Sequence, residues 1–246
     1  MGNGTRDLTL DDIRPNCDIV AAPAYLFEHF IEKGHRVADI GCGHGPLRHK
    51  VEQLGAKWIG IEPFPLIADL IKAPAENLPF PDDSFDVVIM NAVLEHIPDV
   101  FGAFREVGRT LKPGGVFIGY SAYMECFHEI SYHHLSHKAL EDLSVRNGLT
   151  LEKIAPSGAF GIDYHCARLI EPFFRFSSWP VKRILRPAIQ TCIRGQLRIL
   201  AMKRYWKNRI QKKMPGAQAS AEAELYRRVE TLRYAAGFTF VIRKPR

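Results

Sequence analysis

Cysteine is scarce in this sequence: five residues in 246, at positions 17, 42, 126, 166 and 192. They are odd in number and never arranged as CxxC, which excludes a disulfide scaffold and points to a reducing compartment. Long apolar runs are also missing. A helix that crosses a bilayer needs about 20 mostly apolar residues. The longest apolar stretches are broken by charge within a few residues; Gly158–Phe174, for example, contains Asp163, Arg168 and Glu171. Residues 1–20 carry Asp7, Asp11, Asp12 and Asp18 and no apolar centre, so no signal peptide is expected. Internal repeats and low-complexity segments are absent as well. What remains is a folding composition, 46% apolar and 24% charged, which excludes collagen-like and disordered classes.

The charge is unevenly spread. Residues 155–235 hold 16 Lys or Arg against 5 Asp or Glu, while the rest of the chain is net acidic and the whole is +6. Two regions with different partners are implied. Residues 19–156 read as alternating helices and strands. A helical pattern runs from Ile19 to Lys33. Strands follow at Arg36–Ile40, Lys57–Ile61, Ile71–Ala73, Phe85–Met90, Val116–Tyr120 and Leu149–Ile154. Between them the spacing predicts helices at Leu47–Leu54, near Leu66–Asp69, at Asp99–Leu111 and at Ser136–Asn147. Gly237–Ile242 is a last, β-rich strand. The expected fold is α/β: a Rossmann-like, seven-stranded, mostly parallel sheet with helices on both faces, and a helical insertion between the last two strands. The expected domains are 1–156 with 236–246, and the basic insertion 157–235.

The densest signal is the turn Gly41-Cys42-Gly43-His44-Gly45 between a strand and a helix. Glycines let a chain turn sharply and approach a ligand where a Cβ would collide. Asp39, just before the turn, can accept hydrogen bonds from turn amides or from a ligand ammonium. Glu62 ends the next strand, where a carboxylate can take both hydroxyls of a ribose. The GxGxG spacing differs from the GxGxxG of nicotinamide and flavin enzymes.

With the acidic residue two before the first glycine, this segment resembles the class I S-adenosylmethionine-dependent methyltransferases. Three further segments are similar to that superfamily in order and spacing. They are Ala75–Val88 (AENLPFPDDSFDVV), Asn91–Ile97 (NAVLEHI) and Leu111–Val116 (LKPGGV). They look like the branch that includes ubiquinone and menaquinone biosynthesis methyltransferases. The resemblance covers roughly residues 35–156 and the final strand, and it implies S-adenosyl-L-methionine as cofactor. By position, it implies that Asp39 and the turn Gly41, Cys42, Gly43 and Gly45 hold the methionine moiety. Glu62 would bind the ribose and Pro63 would border the adenine. Ala75 and Glu76 would lie along the adenine edge, with Asn91 and Ala92 at the methionine end. Pro74 stands where the family often has an Asp that contacts the adenine amino group; His44 and Pro46 also depart from the usual small residues.

Acceptor-side groups in such sheets come from segments after the strands at their carboxyl edge. Ser121–His134 holds three His, two Glu and three aromatics. It looks like a loop found in bacterial small-molecule methyltransferases. His128 is the first candidate for a general base, with Glu129 as its orienting partner, and His133 the next. The spacing matches no common zinc motif, so no metal is expected. Glu95 and His96 read more simply as a helix-entry segment, and Cys42 as a small filler.

The expected reaction is methyl transfer to a small-molecule acceptor, at oxygen before carbon or nitrogen: a sugar, a glycolipid or a quinone-like lipid. The alternatives are an RNA methyltransferase and a non-catalytic cofactor-binding module. Asn91-Ala-Val-Leu is unlike the tetrads that methylate base amino groups. The basic segment 173–213 reads as a lid, as a contact with an anionic membrane surface presenting a lipid-linked acceptor, or, least favoured, as a nucleic-acid patch. The expected location is cytoplasmic, peripheral at the inner face of a membrane if that contact exists.

Overall fold

The computed structural model describes residues 14–20, 27–65, 67–124, 130–156, 181–232 and 235–246, with the side chains of 181–186 left out. The chain divides into two compact units: Cys17–Ala159 with Ala236–Arg246, and Met1–Asn16 with Phe160–Ala235.

The first unit is built on one sheet. Its strands are β1 (Asp18–Ile19), β2 (Arg36–Ile40), β3 (Lys57–Glu62), β4 (Ile71–Lys72), β5 (Phe85–Asn91), β6 (Leu111–Ala122), β7 (Thr150–Pro156) and β8 (Gly237–Arg243). Its helices are α1 (Arg48–Gln53), α2 (Val100–Thr110) and α3 (His137–Arg146). The sheet order is β1-β7-β8-β6-β5-β2-β3-β4. All pairings are parallel except those of β8, which runs antiparallel to both β6 and β7. This is the expected α/β class, with eight strands where seven were expected. The added strand is Asp18–Ile19, which pairs with Lys153 and Ile154 at the sheet edge. Ile19 therefore does not begin a helix. Of the helix expected over Ile19–Lys33, the described part holds one 3₁₀ turn, Phe27–Phe30. Backbone pairing with β7 takes up the N–H and C=O groups there in place of helical bonds, and the Val20 amide continues it by donating to Ile154 O at 3.0 Å.

The central strands follow the physics of a sheet covered on both faces. Val87, Val88, Ile89 and Met90 of β5 are consecutive and all buried. Ser136 caps α3 by accepting the amide of Ala139, and Asp99 caps α2 by accepting that of Gly102. Of the short helix expected near Leu66–Asp69, the described residues show a bend at Ile67 and a turn at Ala68 and Asp69.

The path of the chain places a crevice. From β2 it moves outward through β3 to β4, then returns to β5 on the other side of β2. Such a reversal opens a cleft at the carboxyl ends of the two neighbouring strands. The turn after β2 and the residues after β5 meet there.

The second unit is helical where it is described: α4 (Val181–Ile210) and α5 (Gly216–Leu232). They pack through Asn208, whose Nδ2 donates to Glu222 Oε2 at 2.9 Å, and through Arg204, whose guanidinium lies 5.4 Å from the Tyr226 ring centre. No helix among the described residues is long and apolar enough to cross a membrane.

Candidate functional site

The glycine turn follows directly from the end of β2. Gly41 N and Cys42 N both donate to Ile61 O, and Gly45 N closes back on Cys42 O. Gly41, Gly43 and Gly45 all have positive φ, at 68°, 54° and 72°. The three glycines answer to different neighbours. A Cβ at Gly41 would stand 2.6 Å from Val93 Cγ2, and one at Gly45 3.0 Å from the Trp58 ring. Those two positions are glycine because protein packs on them. At Gly43 a Cβ would meet nothing within 4 Å. That is the open side of the turn, where a ligand can reach the backbone.

Two carboxylates attend the turn. Glu62 Oε2 accepts the Gly43 amide at 3.0 Å, so the end of β3 clamps the turn. Asp39 is 3% exposed, and its Oδ2 accepts the indole N–H of Trp58 at 3.0 Å. The donor expected for Asp39 was a turn amide or a ligand; the structure gives it a tryptophan from β3. Burial pushes the Asp39 carboxyl up to about 6, the Trp58 hydrogen bond opposes that rise, and the charge of Glu62 adds to it. The same burial and the same two carboxylates push the Cys42 thiol up to about 11. Cys42 is thus an inert filler among core residues rather than a nucleophile.

A cavity of about 900 Å³ opens beside the turn. Ile40, Gly41, Glu62, Pro63, Ala75, Glu76 and Ala92 line one part of it. Pro74, which offers no side-chain hydrogen bond, lines it too. Much of the remaining lining is apolar or aromatic: Phe64, Val93, Ile97, Pro98, Ile130 and Tyr132, with His96 among them. Asn91 departs from expectation. It lines a smaller cavity of about 170 Å³ with Phe27, Leu47, Tyr120 and Thr239, so Asn91 and Ala92 do not share one wall. Ala92 follows the last strand residue with a left-handed φ of 57°.

His128 and Glu129 lie outside the described residues. His133 Nε2 is 3.0 Å from Pro98 O, and His96 Nδ1 is 2.7 Å from Ile130 O. Each ring nitrogen donates to its carbonyl, which fixes the ring's orientation. The backbone carbonyl of Glu95 accepts the amides of Tyr132 and His133, so the segment after β5 holds the segment that follows β6. Glu95 and His96 are therefore structural links at the rim, and His96 also faces the cavity.

The Ala75–Val88 segment gains its reason from a pair that sequence reasoning missed. Arg109 on α2 donates to Leu78 O and Phe80 O, and to Glu106, while Glu106 accepts the Leu78 amide. Ser84 Oγ donates to Pro81 O, and Phe80 packs edge-on against Phe85 at 4.8 Å. These bonds lay Ala75 and Glu76 along the cavity. Arg109→Ala is expected to lower stability by about 1.5–3 kcal/mol, the range for hydrogen bonds to a charged group. Equal chemical-denaturation midpoints for the variant and the parent would contradict this.

The polar groups fit an adenosine carrying an amino acid: Gly41 and the Glu62 carboxylate line the cavity, while Asp39, Cys42, Gly43 and Gly45 are not among its lining residues, and the Asp39 carboxylate is buried behind it on Trp58. The cavity volume lies within the range of small-molecule sites.

Comparisons with known proteins agree with that geometry. Residues 38–119 match the family described as methyltransferase domain. The chain is 33% identical over 100 residues to the ubiquinone biosynthesis O-methyltransferase of Azorhizobium caulinodans, covering 35% of this chain and 40% of that one. It is 34% identical over 104 residues to a sterol 24-C-methyltransferase of Aspergillus fumigatus, covering 35% and 28%. The chain thus spans two fifths or less of the length of these curated relatives. Among solved structures, it is similar to a Haloferax volcanii methyltransferase in complex with a methyltransferase activator. That similarity has TM-score 0.53 at 21% identity, over 88% of this chain and 85% of that one. The cyclase SpnF is similar at TM-score 0.52 and 17% identity, over 87% and 77%. These structural likenesses establish the fold, and a fold shared with a cyclase does not by itself specify a reaction.

Proposed function

We propose, from the premise that the chain carries a class I S-adenosylmethionine-dependent methyltransferase domain, that it transfers a methyl group to an oxygen of a small, largely apolar acceptor. A quinone-like or other lipid acceptor ranks ahead of a sugar. The observation that carries this reading is one cavity with a mixed lining. Gly41 of the turn and Glu62 line it, and so do the apolar or aromatic side chains Phe64, Ile97, Ile130 and Tyr132. The names of the relatives, a quinone O-methyltransferase and a sterol C-methyltransferase, support an apolar acceptor class.

When bound, the cofactor supplies a sulfonium methyl for in-line displacement. The chain's own residues have to hold, align and keep out water. Asp39 holds the ammonium of the methionine moiety from beneath the turn. The turn at Gly41–Gly45 brings its backbone against that moiety. Glu62 accepts the ribose hydroxyls, and Pro63, Ala75 and Glu76 border the adenine. His128 takes the acceptor proton, with Glu129 orienting it and His133 as the second candidate. An acidic phenol acceptor needs that base less than an alcohol does.

The test is incubation with methyl-labelled S-adenosylmethionine and three acceptor sets: catechol-type polyprenyl phenols, sterols and free sugars. Label in an O-methyl ether of an organic-soluble acceptor supports the proposal. Label only in sugars, only at carbon, or in none of the three overturns it.

A further inference from the structure

The helical unit presents a surface that the methyl-transfer reading does not use. On α4, Ile199, Met202, Trp206 and Ile210 are all exposed, at 51%, 56%, 54% and 70%. They are three or four residues apart, so they form one stripe along the helix. The opposite side of α4 is the one that packs. Leu197 is 5% exposed and Asn208 is fully buried, bonded to Glu222 of α5. The stripe is therefore not the helix's contact with α5. Exposed Arg198, Lys203, Lys207 and Arg209 flank it on both sides. Over its whole length α4 has nine Lys or Arg and no Asp or Glu.

We infer that this stripe docks on an anionic lipid surface. An apolar strip with Trp at its centre and cations along its edges matches the two layers of a bilayer face. Ile, Met and the indole reach the acyl boundary, while Lys and Arg stay at the level of negative headgroups. Lys and Arg stems can cover apolar surface while their charges remain in water. Charge complementarity selects this occupant over the others. A second copy of the stripe would bring cations onto cations. A nucleic acid would answer the charges but leave four apolar side chains against phosphates. The inference stands apart from the methyl-transfer reading. It also provides a place where a lipid-dissolved acceptor could be met.

The test is flotation of the full chain with vesicles of phosphatidylcholine containing 30% phosphatidylglycerol, and with phosphatidylcholine alone. The variants are Trp206→Ser with Ile210→Ser, and separately Lys203→Glu with Lys207→Glu. All four positions are exposed, and unchanged circular dichroism and melting temperature verify that the variants fold. The expected result is binding to anionic vesicles that weakens at least tenfold in either double variant, and little binding to neutral vesicles. Equal binding by parent and variants overturns the inference, as does no binding at all. A dimer in sedimentation that dissolves in the Trp206→Ser variant reassigns the stripe to self-association. RNA retention lost with the lysines reassigns it to nucleic acid. Either reassignment also overturns the lipid assignment. Cofactor binding measured on the same samples separates this failure from failure of the methyltransferase reading.

Discussion

Asp39→Asn is expected to abolish cofactor binding while making the protein more stable. The two effects share one cause. Asp39 is buried beneath the glycine turn, and burial pushes its carboxyl from 3.8 up to about 6. A raised carboxyl costs the folded state at neutral pH. The folded chain binds this proton more tightly than the unfolded chain does. Relative stability is therefore full below pH 3.8, falls as the pH rises to about 6, and stays reduced above it. Two pH units correspond to on the order of 3 kcal/mol. Asn has the same shape, carries no charge, and keeps an oxygen for the Trp58 indole 3.0 Å away. The variant should melt several degrees higher at pH 7.5, with the gain shrinking towards nothing at pH 4. Its cofactor affinity should fall at least about a hundredfold, because the ammonium of the ligand would be buried without a counter-charge. A variant that binds as well as the parent would remove Asp39 from the site. One that melts lower at pH 7.5 would contradict the account of its burial. In the parent, affinity should weaken about tenfold for each pH unit below about 6, as the carboxylate takes its proton.

Glu62→Ala should weaken cofactor binding by about 1–3 kcal/mol, roughly five- to more than a hundredfold, through two losses. The ribose loses its acceptor, and the Gly43 amide loses the carboxylate that clamps the turn. Glu62→Gln separates the two. Its amide oxygen can still accept from Gly43, while its charge is gone. A Gln variant that binds nearly as well as the parent would assign most of the effect to the clamp. A Gln variant as weak as Ala would assign it to the ribose contact. Parent-like affinity in both, measured by calorimetry, would place the ribose elsewhere.

The chemistry of the turn was legible in the sequence because it is local. Gly41, Gly43, Gly45 and the carboxylates at the ends of β2 and β3 are fixed by a few residues of spacing, and the sheet brings the two strand ends together. What each glycine does was not legible. Gly41 packs on Val93 and Gly45 on Trp58, and those contacts join segments 52 and 13 residues apart. The partner of Asp39 was hidden for the same reason, since Trp58 reads as an apolar strand residue until its indole N–H is seen to donate. The Glu106–Arg109 pair looks like an ordinary solvated helix pair at spacing three. Only its hydrogen bonds to Leu78 and Phe80 show that it holds the segment along the cavity. Helical spacing at Ile19 misled because a two-residue strand leaves almost no periodic signal. In the basic region, sequence gave the charge and the helix. Burial was needed to tell the packed face of Leu197 and Asn208 from the stripe of Ile199, Met202, Trp206 and Ile210.

The most direct test of the central claim is calorimetric titration of the purified protein with S-adenosylhomocysteine at pH 7.5. The account predicts one-to-one, micromolar binding that disappears in Asp39→Asn while the variant stays folded. An absence of heat up to millimolar ligand, or equal binding by that variant, would contradict it.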